Sequence, residues 1–293
     1  MPDPQAAPGP TPVALSERAF RRVQALVRRE SGIHLTDAKR ALVVSRLARR
    51  VRELGLHGLD PYVRRAEDEP AERQRLLDAI ATNETHFFRE PRQFAFLREQ
   101  VFPRWVEQAA LGRRPRRARV WSAACSTGEE PTSLAMTLLA HFPPACGWEI
   151  DILASDISLR ALERARAATW PLAKAQEIPG PLLRRWMRRG FASHEGEMRA
   201  CAELRATVRY ERVNLHGGPL PPGPFDLIFC RNVLIYFEAA AKAAVVERLL
   251  DRLLPDGLLF LGHAESLSGL TGRARSVGPT VYRSRPVAPA AAP

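Results

Sequence analysis

From Arg119 to Arg283, short apolar runs alternate with segments of helical periodicity, and this alternation constrains the fold more tightly than any other feature of the chain. Arg119–Ser122, Glu149–Ala154, Phe225–Cys230, Leu258–Gly262 and Thr280–Arg283 read as strands, and Ser133–Ala140, Leu159–Ala168 and Ala239–Leu254 as helices. Alternating β and α units predict an α/β domain with a parallel, doubly wound, Rossmann-like sheet. Residues 187 to 213 alternate charged with apolar or β-branched side chains, which predicts a small antiparallel β-subdomain inserted in the sheet's connections.

Ahead of this region the period changes to that of helices: Phe20, Val23, Leu26 and Val27, then Val43, Leu47, Val51 and Leu54, then Leu76, Leu77 and Ile80. The spacing predicts an all-α N-terminal domain over 15–82. Ser16 reads as an N-cap, Gly32 and Gly55 as helix ends, and Asp60-Pro61 as a cap followed by Pro at the first helical position. Residues 83–118 form a linker and connecting helix, 119–285 the α/β domain with its subdomain at about 187–213, and the Pro/Ala-rich ends 1–14 and 286–293 disordered tails.

A hydrophobic fraction of 45% over 293 residues is enough to bury a sizeable core and excludes global disorder. No apolar run approaches the ~20 residues that span a bilayer, so no membrane insertion and a cytoplasmic location are expected. Cys125, Cys146, Cys201 and Cys230 form no C-x-x-C pair, which predicts reduced thiols and no metal. The net charge is +12, yet only Lys39, Lys174 and Lys242 are lysines, so part of the charge is an arginine-rich compositional habit. A positive field still favours a polyanionic partner, either nucleic acid or an acidic protein surface.

Four segments can carry chemistry. Val120 to Pro131 (VWSAACSTGEEP) is a strand, a turn of small residues and a helix start, placed where ligands meet the carboxyl ends of strands. It lacks G-x-G-x-x-G, and Glu129 and Glu130 would repel phosphate while suiting an ammonium group; alternatively they complement the helix dipole. Asp156 follows the next strand, where a carboxylate can accept from both ribose hydroxyls, or else Asp156 or Ser158 caps the next helix. Together the two turns suit a nucleoside bearing an amino acid, namely S-adenosylmethionine. Phe225 to Phe237 (FDLIFCRNVLIYF) brings Asn232 and Tyr236 to the same strand ends, although Tyr236 and Phe237 also read as core aromatics. Thr82 to Glu90 (TNETHFFRE) suits either a lid with polar groups toward a ligand or a linker anchored by Phe87 and Phe88; His86 has no visible partner. Arg46, Arg49 and Arg50 lie at i, i+3, i+4 on one helix face, either simply solvated or facing an acidic partner helix.

In their order and separation, NETHFFRE, VWSAACSTGEEPTSLAM, ILASDIS and FDLIFCRNVLIYF with LLPDGLLFLGHAESL closely resemble the CheR-type chemotaxis receptor glutamate O-methyltransferases, over about Phe20 to Arg283. The resemblance implies transfer of a methyl group from S-adenosylmethionine, leaving S-adenosylhomocysteine, to glutamate carboxylates of a chemoreceptor's cytoplasmic helical domain, without a metal. It also implies cofactor contacts from Asn83, Thr85 and Arg89, the methionyl ammonium on Glu130 with Glu129 as the adjacent alternative, the ribose on Asp156, the adenine end at Asn214-Leu215, and Asn232-Val233 lining the pocket. Arg89 and Tyr236 match the catalytic positions, and in some members the β-subdomain tethers a receptor C-terminal peptide. Arg46, Arg49 and Arg50 would dock the acidic receptor. Thr132 departs from the Tyr often found after Glu-Glu-Pro. A nucleic-acid methyltransferase is the alternative. It would account for the charge, but the third strand end reads Arg231-Asn232-Val233-Leu234 rather than Asn-Pro-Pro-Tyr, and no nucleic-acid partner is expected.

Overall fold

A computed structural model describes residues 14–285, which divide into two compact units at Ala81/Thr82. The expected disordered tails lie outside the described residues except for Ala14, whose carbonyl accepts from Leu59 N–H at 3.1 Å.

The first unit packs α1 (Glu17–Ser31), α2 (Arg40–Glu53), α3 (Leu59–Asp68) and α4 (Pro70–Ile80) around Phe20, Val23, Val27, Val43, Leu47, Val51, Tyr62 and Leu76. Each helix turns its apolar stripe inward, because the i, i+3, i+4 spacing puts those side chains on one face. The Ser16 hydroxyl accepts from Ala19 N–H at 3.1 Å, and Gly32 closes α1 in the left-handed conformation at φ 73°. The expectation for Asp60-Pro61 is corrected: α3 begins at Leu59 after Gly58, whose φ of 99° sets the turn. Asp60 instead accepts from the Ser16 backbone N–H at 3.1 Å and from its hydroxyl, joining the starts of α1 and α3.

In the second unit, α5 (Pro91–Phe96) and α6 (Phe102–Ala110), joined by the π-helical turn Leu97–Val101, precede β1 (Arg117–Ala123), α7 (Glu129–His141), β2 (Glu149–Asp156) and α8 (Leu159–Ala167). Then come β3 (Thr169–Pro171), α9 (Gly180–Trp186), β4 (Met187–Arg189), β5 (Glu197–Ala200), α10 (Ala202–Ala206), β6 (Val208–Arg212) and β7 (Phe225–Cys230). The chain continues through α11 (Ala239–Leu250), β8 (Leu253–Leu261), β9 (Ala274–Gly278) and β10 (Val281–Ser284). The main sheet has the order β6-β2-β1-β7-β8-β10-β9. Along β7, Leu227 and Phe229 pack on one face while Phe225, Ile228 and Cys230 pack on the other, which is why so short a strand is apolar apart from Asp226, which pairs with Arg114 at 2.9 Å.

Two further expectations are corrected. The sheet is mixed: β6, β2, β1, β7 and β8 are parallel, whereas β10 runs antiparallel to β8 and β9 antiparallel to β10. A hairpin needs only the short turn at Pro279-Thr280, not a crossover helix. The small antiparallel sheet is β3-β5-β4 and so starts earlier, at Thr169, while Val208–Arg212 pairs parallel with β2 as the edge of the main sheet. Alternation identifies a half-buried strand but not the sheet it joins.

Candidate functional site

From β1 the chain winds through β2 to β6 on one side and later through β7 to β8 on the other, so β1 and β7 flank the switch point of the sheet. There the crossover connections part and leave a crevice at the carboxyl ends of the strands. Ala123, Asp156 and Cys230 end the three strands that open onto it. Ala124 and Ser126 of the first turn, Asn232 of the third, and Phe88 and Glu90 of the 82–90 segment all hold φ between 51° and 73°. Non-glycine residues in this region cost roughly 1–3 kcal/mol each, and their gathering here marks a backbone held by its surroundings.

Ala124 and Cys125 N–H both donate to Ser155 carbonyl at 2.8 Å, tying the first turn to the end of β2. Gly128 (φ 93°) leads into α7, and a Cβ there would stand 3.0 Å from Ala165 Cα, so the turn lies against α8 with no room for a side chain. The two glutamates at the start of α7 differ sharply. Glu129 is buried and neutralised by Lys174 Nζ at 2.6 Å, with the Thr127 hydroxyl donating to it at 2.7 Å. Glu130 accepts from the Ser122 hydroxyl at 2.7 Å and lies 3.4 Å from the Arg231 guanidinium. Burial pushes its carboxyl above the ordinary value, against the opposing pull of Arg231 and the Ser122 hydroxyl. Thr132 is buried and donates back to Gly128 carbonyl at 2.7 Å, and with Tyr210 it lines a small cavity of ≈ 150 Å³.

Asp156 accepts from Ser126 N–H at 2.8 Å and Ser158 N–H at 2.9 Å, which turns its carboxylate back toward the first turn. The cap of α8 is Ser158, whose hydroxyl accepts from Ala161 N–H at 3.1 Å. After β6, Val213 N–H donates to the Asp156 backbone carbonyl at 3.1 Å, and Asn214 and the buried Leu215 follow in the chain. Asn214 closes a local turn by accepting from His216 N–H at 3.1 Å.

After β7, Arg231 is buried; it reaches Glu130, lies 3.7 Å from Glu90, and donates to Arg89 carbonyl. Asn232 and Val233 are half-buried, Tyr236 is half-buried at the end of a single 3₁₀ turn, and Phe237 is core. Of the two aromatics, Phe237 is thus a core side chain.

The 82–90 segment lies on this second unit and is fixed to it largely through its backbone. Ser126 hydroxyl donates to Asn83 carbonyl at 2.9 Å, Lys174 Nζ to Thr85 carbonyl at 2.8 Å, Phe87 N–H to Glu177 at 2.8 Å and Phe88 N–H to the Ser133 hydroxyl at 3.0 Å. Phe87 packs edge-on against Trp170 with centroids 5.0 Å apart. Arg89 is half-buried, and its guanidinium donates to Glu84 carbonyl at 3.3 Å, so it is lightly held. Among the described residues no group of acidic, His or Cys side chains is arranged to hold a metal.

In the helical unit, Arg46 donates to the carbonyls of Ile80 and Ala81, and Arg50 is ion-paired with the buried Glu72. These two sew α2 to α4. Arg49 pairs with Glu53 at 2.8 Å but leaves its side chain 82% exposed.

The family described as "CheR methyltransferase, SAM binding domain" matches residues 83–283, and "CheR methyltransferase, all-alpha domain" matches residues 18–81. The chain belongs to the CheR methyltransferase family. It is 41% identical over 274 residues to the chemotaxis protein methyltransferase of Salmonella typhimurium, covering 92% of this chain and 91% of that protein. The Escherichia coli chemotaxis protein methyltransferase is 40% identical, covering 92% of each, and chemotaxis protein methyltransferase 2 of Pseudomonas aeruginosa 39%, covering 90% of this chain and 91% of that protein. As a CheR-family protein it is an S-adenosylmethionine-dependent methyltransferase, and the crevice suits that molecule: small residues line the first turn, Glu130 lies in the first turn of the helix that follows it, and Asp156 ends the second strand.

Sequence reasoning missed Arg231, Lys174 and Glu265. Arg231 was visible only as a polar residue ending an apolar run. Lys174 had one signal, its rarity, and Glu265 sat within the LGHAESL block without an assigned role. Glu265 is buried and accepts four backbone N–H bonds, from Asn232, Leu234, Ile235 and Gly262.

Proposed function

We propose that this CheR-family protein methylates glutamate side chains of a chemoreceptor's cytoplasmic helical domain, producing glutamate methyl esters. The observation that carries the reading is the difference between Glu129 and Glu130: the first is held by Lys174 at 2.6 Å, and the second, more loosely faced by Arg231 at 3.4 Å, is the acidic group at the crevice. S-adenosylmethionine supplies a sulfonium-bound methyl group there. Glu130 would hold its ammonium, Asp156 the ribose and Asn214-Leu215 the adenine end, with Asn83, Thr85, Arg89, Asn232 and Val233 completing the pocket.

A glutamate with an ordinary pKa near ~4.3 is already a carboxylate nucleophile at neutral pH, so the chain has no proton to abstract. Its residues have to orient the carboxylate and keep water out, and well-aligned reactants gain on the order of 7–11 kcal/mol from positioning. Arg89, held by a single long bond to Glu84 carbonyl, is free to donate to the incoming carboxylate. Tyr236, half-buried on the third turn, would orient the attacking oxygen.

Docking on the acidic receptor rests on Arg49, since Arg46 and Arg50 have structural partners. The outer strands β3 and β4 each have one side unpaired among the described strands, the condition for a receptor C-terminal peptide to add as a further strand. A cytoplasmic location follows from such a substrate. The test is incubation with methyl-labelled S-adenosylmethionine and receptor-bearing membranes. Label on receptor that alkali releases as methanol is expected. Label on nucleic acid, or alkali-stable label on protein, would overturn the assignment.

A further inference from the structure

Glu265 is a buried carboxylate with no Arg, Lys or His paired to it among the described residues, and none of the chemistry above uses it. Its two oxygens are spent on backbone. Oε2 accepts from Asn232 N–H at 2.8 Å and Gly262 N–H at 2.7 Å, and Oε1 from Leu234 N–H at 2.7 Å and Ile235 N–H at 3.3 Å. Three of these donors belong to the turn after β7 and the fourth to the end of β8, so one side chain fastens the turn to the neighbouring strand. Convergent N–H groups of this kind form an anion nest that compensates a buried carboxylate without a counter-charge.

The turn needs such a fastening. Asn232 sits at φ 57°, a conformation disfavoured for a residue with a Cβ, and the reacting-end residue Tyr236 lies four positions further on. Gly262 completes the arrangement: a Cβ there would stand 2.5 Å from Asn232 Nδ2 and 2.8 Å from Glu265 Oε2, so only glycine lets the three residues meet. We infer that Glu265 is a positioning residue for methyl transfer: it holds the 232–236 turn, and hence Tyr236, in the reactive geometry, with Gly262 as the space that admits it. The inference rests on the reading of this turn as part of the transfer site.

The experiment uses the full chain and Glu265→Gln, which leaves one oxygen for four donors and turns an NH₂ toward N–H groups. Amide hydrogen exchange at Asn232, Leu234, Ile235 and Gly262 is expected to quicken by at least ~10-fold while the β1 and β2 amides keep their protection. Methyl transfer is expected to lose at least ~10-fold in kcat with KM for the receptor within about 3-fold, the pattern of an interaction that acts in the transition state. Because Glu265 acts through the turn, Glu265→Gln combined with Tyr236→Phe should be no more than about 2-fold slower than the slower single variant. Gly262→Ala, which crowds the same clamp with Glu265 intact, serves if Glu265→Gln does not fold, and the same exchange and kcat changes are expected of it. Unchanged exchange at the four amides, or kcat losses that multiply in the double variant, would overturn the inference. A wild-type protein that transfers no methyl to receptor overturns the functional reading instead, and the exchange pattern still decides whether Glu265 holds the turn.

Discussion

The two adjacent glutamates of α7 show how environment separates identical side chains. Lys174 faces Glu129 at 2.6 Å, and with the Glu129 side chain only 1% exposed its removal would strand a buried charge. Lys174→Met is therefore expected to destabilise the protein by about 3 kcal/mol, read from urea unfolding, whereas replacing the exposed Lys39 changes nothing measurable. Glu130 supports a pH prediction. Burial raises its folded-state carboxyl pKa above the unfolded value, so its contribution to stability is present below the unfolded value and lost as pH rises through the folded one. An ammonium ligand needs the ionised form, so the sign for binding is the reverse. S-adenosylmethionine affinity should fall as pH drops from about 7 toward about 5, while Glu130→Gln should bind on the order of tenfold more weakly at pH 7.5 and lose that pH dependence. Titration calorimetry across the pH range checks both; a wild-type affinity that is flat with pH would remove Glu130 from the cofactor's ammonium.

At the scale of elements, α2 leaves one of its three arginines, Arg49, for the docking role proposed above. Arg50→Glu would place two carboxylates together at the α2–α4 contact and is expected to cost about 2 kcal/mol or more of stability in the helical unit. Arg49→Glu should leave the melting temperature within about 1 °C yet slow receptor methylation several-fold at low salt, with the difference closing as salt is added. An unchanged methylation rate for Arg49→Glu would withdraw the docking role. The elements also show what sequence could and could not convey. Phe225–Cys230 was legible to the residue because a strand buried on both faces is almost wholly apolar, Asp226 being its one polar position. The α11–β8 boundary was not: Leu249 to Leu254 continues the helical pattern, but the helix ends at Leu250, and Leu253 instead pairs with Phe225. The turns that form the candidate site were legible where their signal is local, in the small-residue turn and the strand-end Asp156. Arg231 and Glu265 escaped because their meaning lies in Arg89, Glu130 and Asn232, partners that only the folded sheet brings close.

For the whole molecule, topology does the placing. A sheet whose chain winds outward in both directions from β1 and β7 must open a crevice at their carboxyl ends, and the conserved geometry of crossover connections puts the first, second and third turns around it. The net charge of +12 adds a long-range field that favours an acidic partner but selects no residue. The 82–90 segment is fixed to the same unit by hydrogen bonds from Ser126, Lys174 and Arg231 to its carbonyls and from Phe88 N–H to the Ser133 hydroxyl. The central claim is that this crevice takes the methyl donor, and calorimetric titration of the folded full chain with S-adenosylmethionine tests it most directly. The account predicts one saturable site per chain that S-adenosylhomocysteine competes for; a folded chain that gives no saturable heat would contradict it.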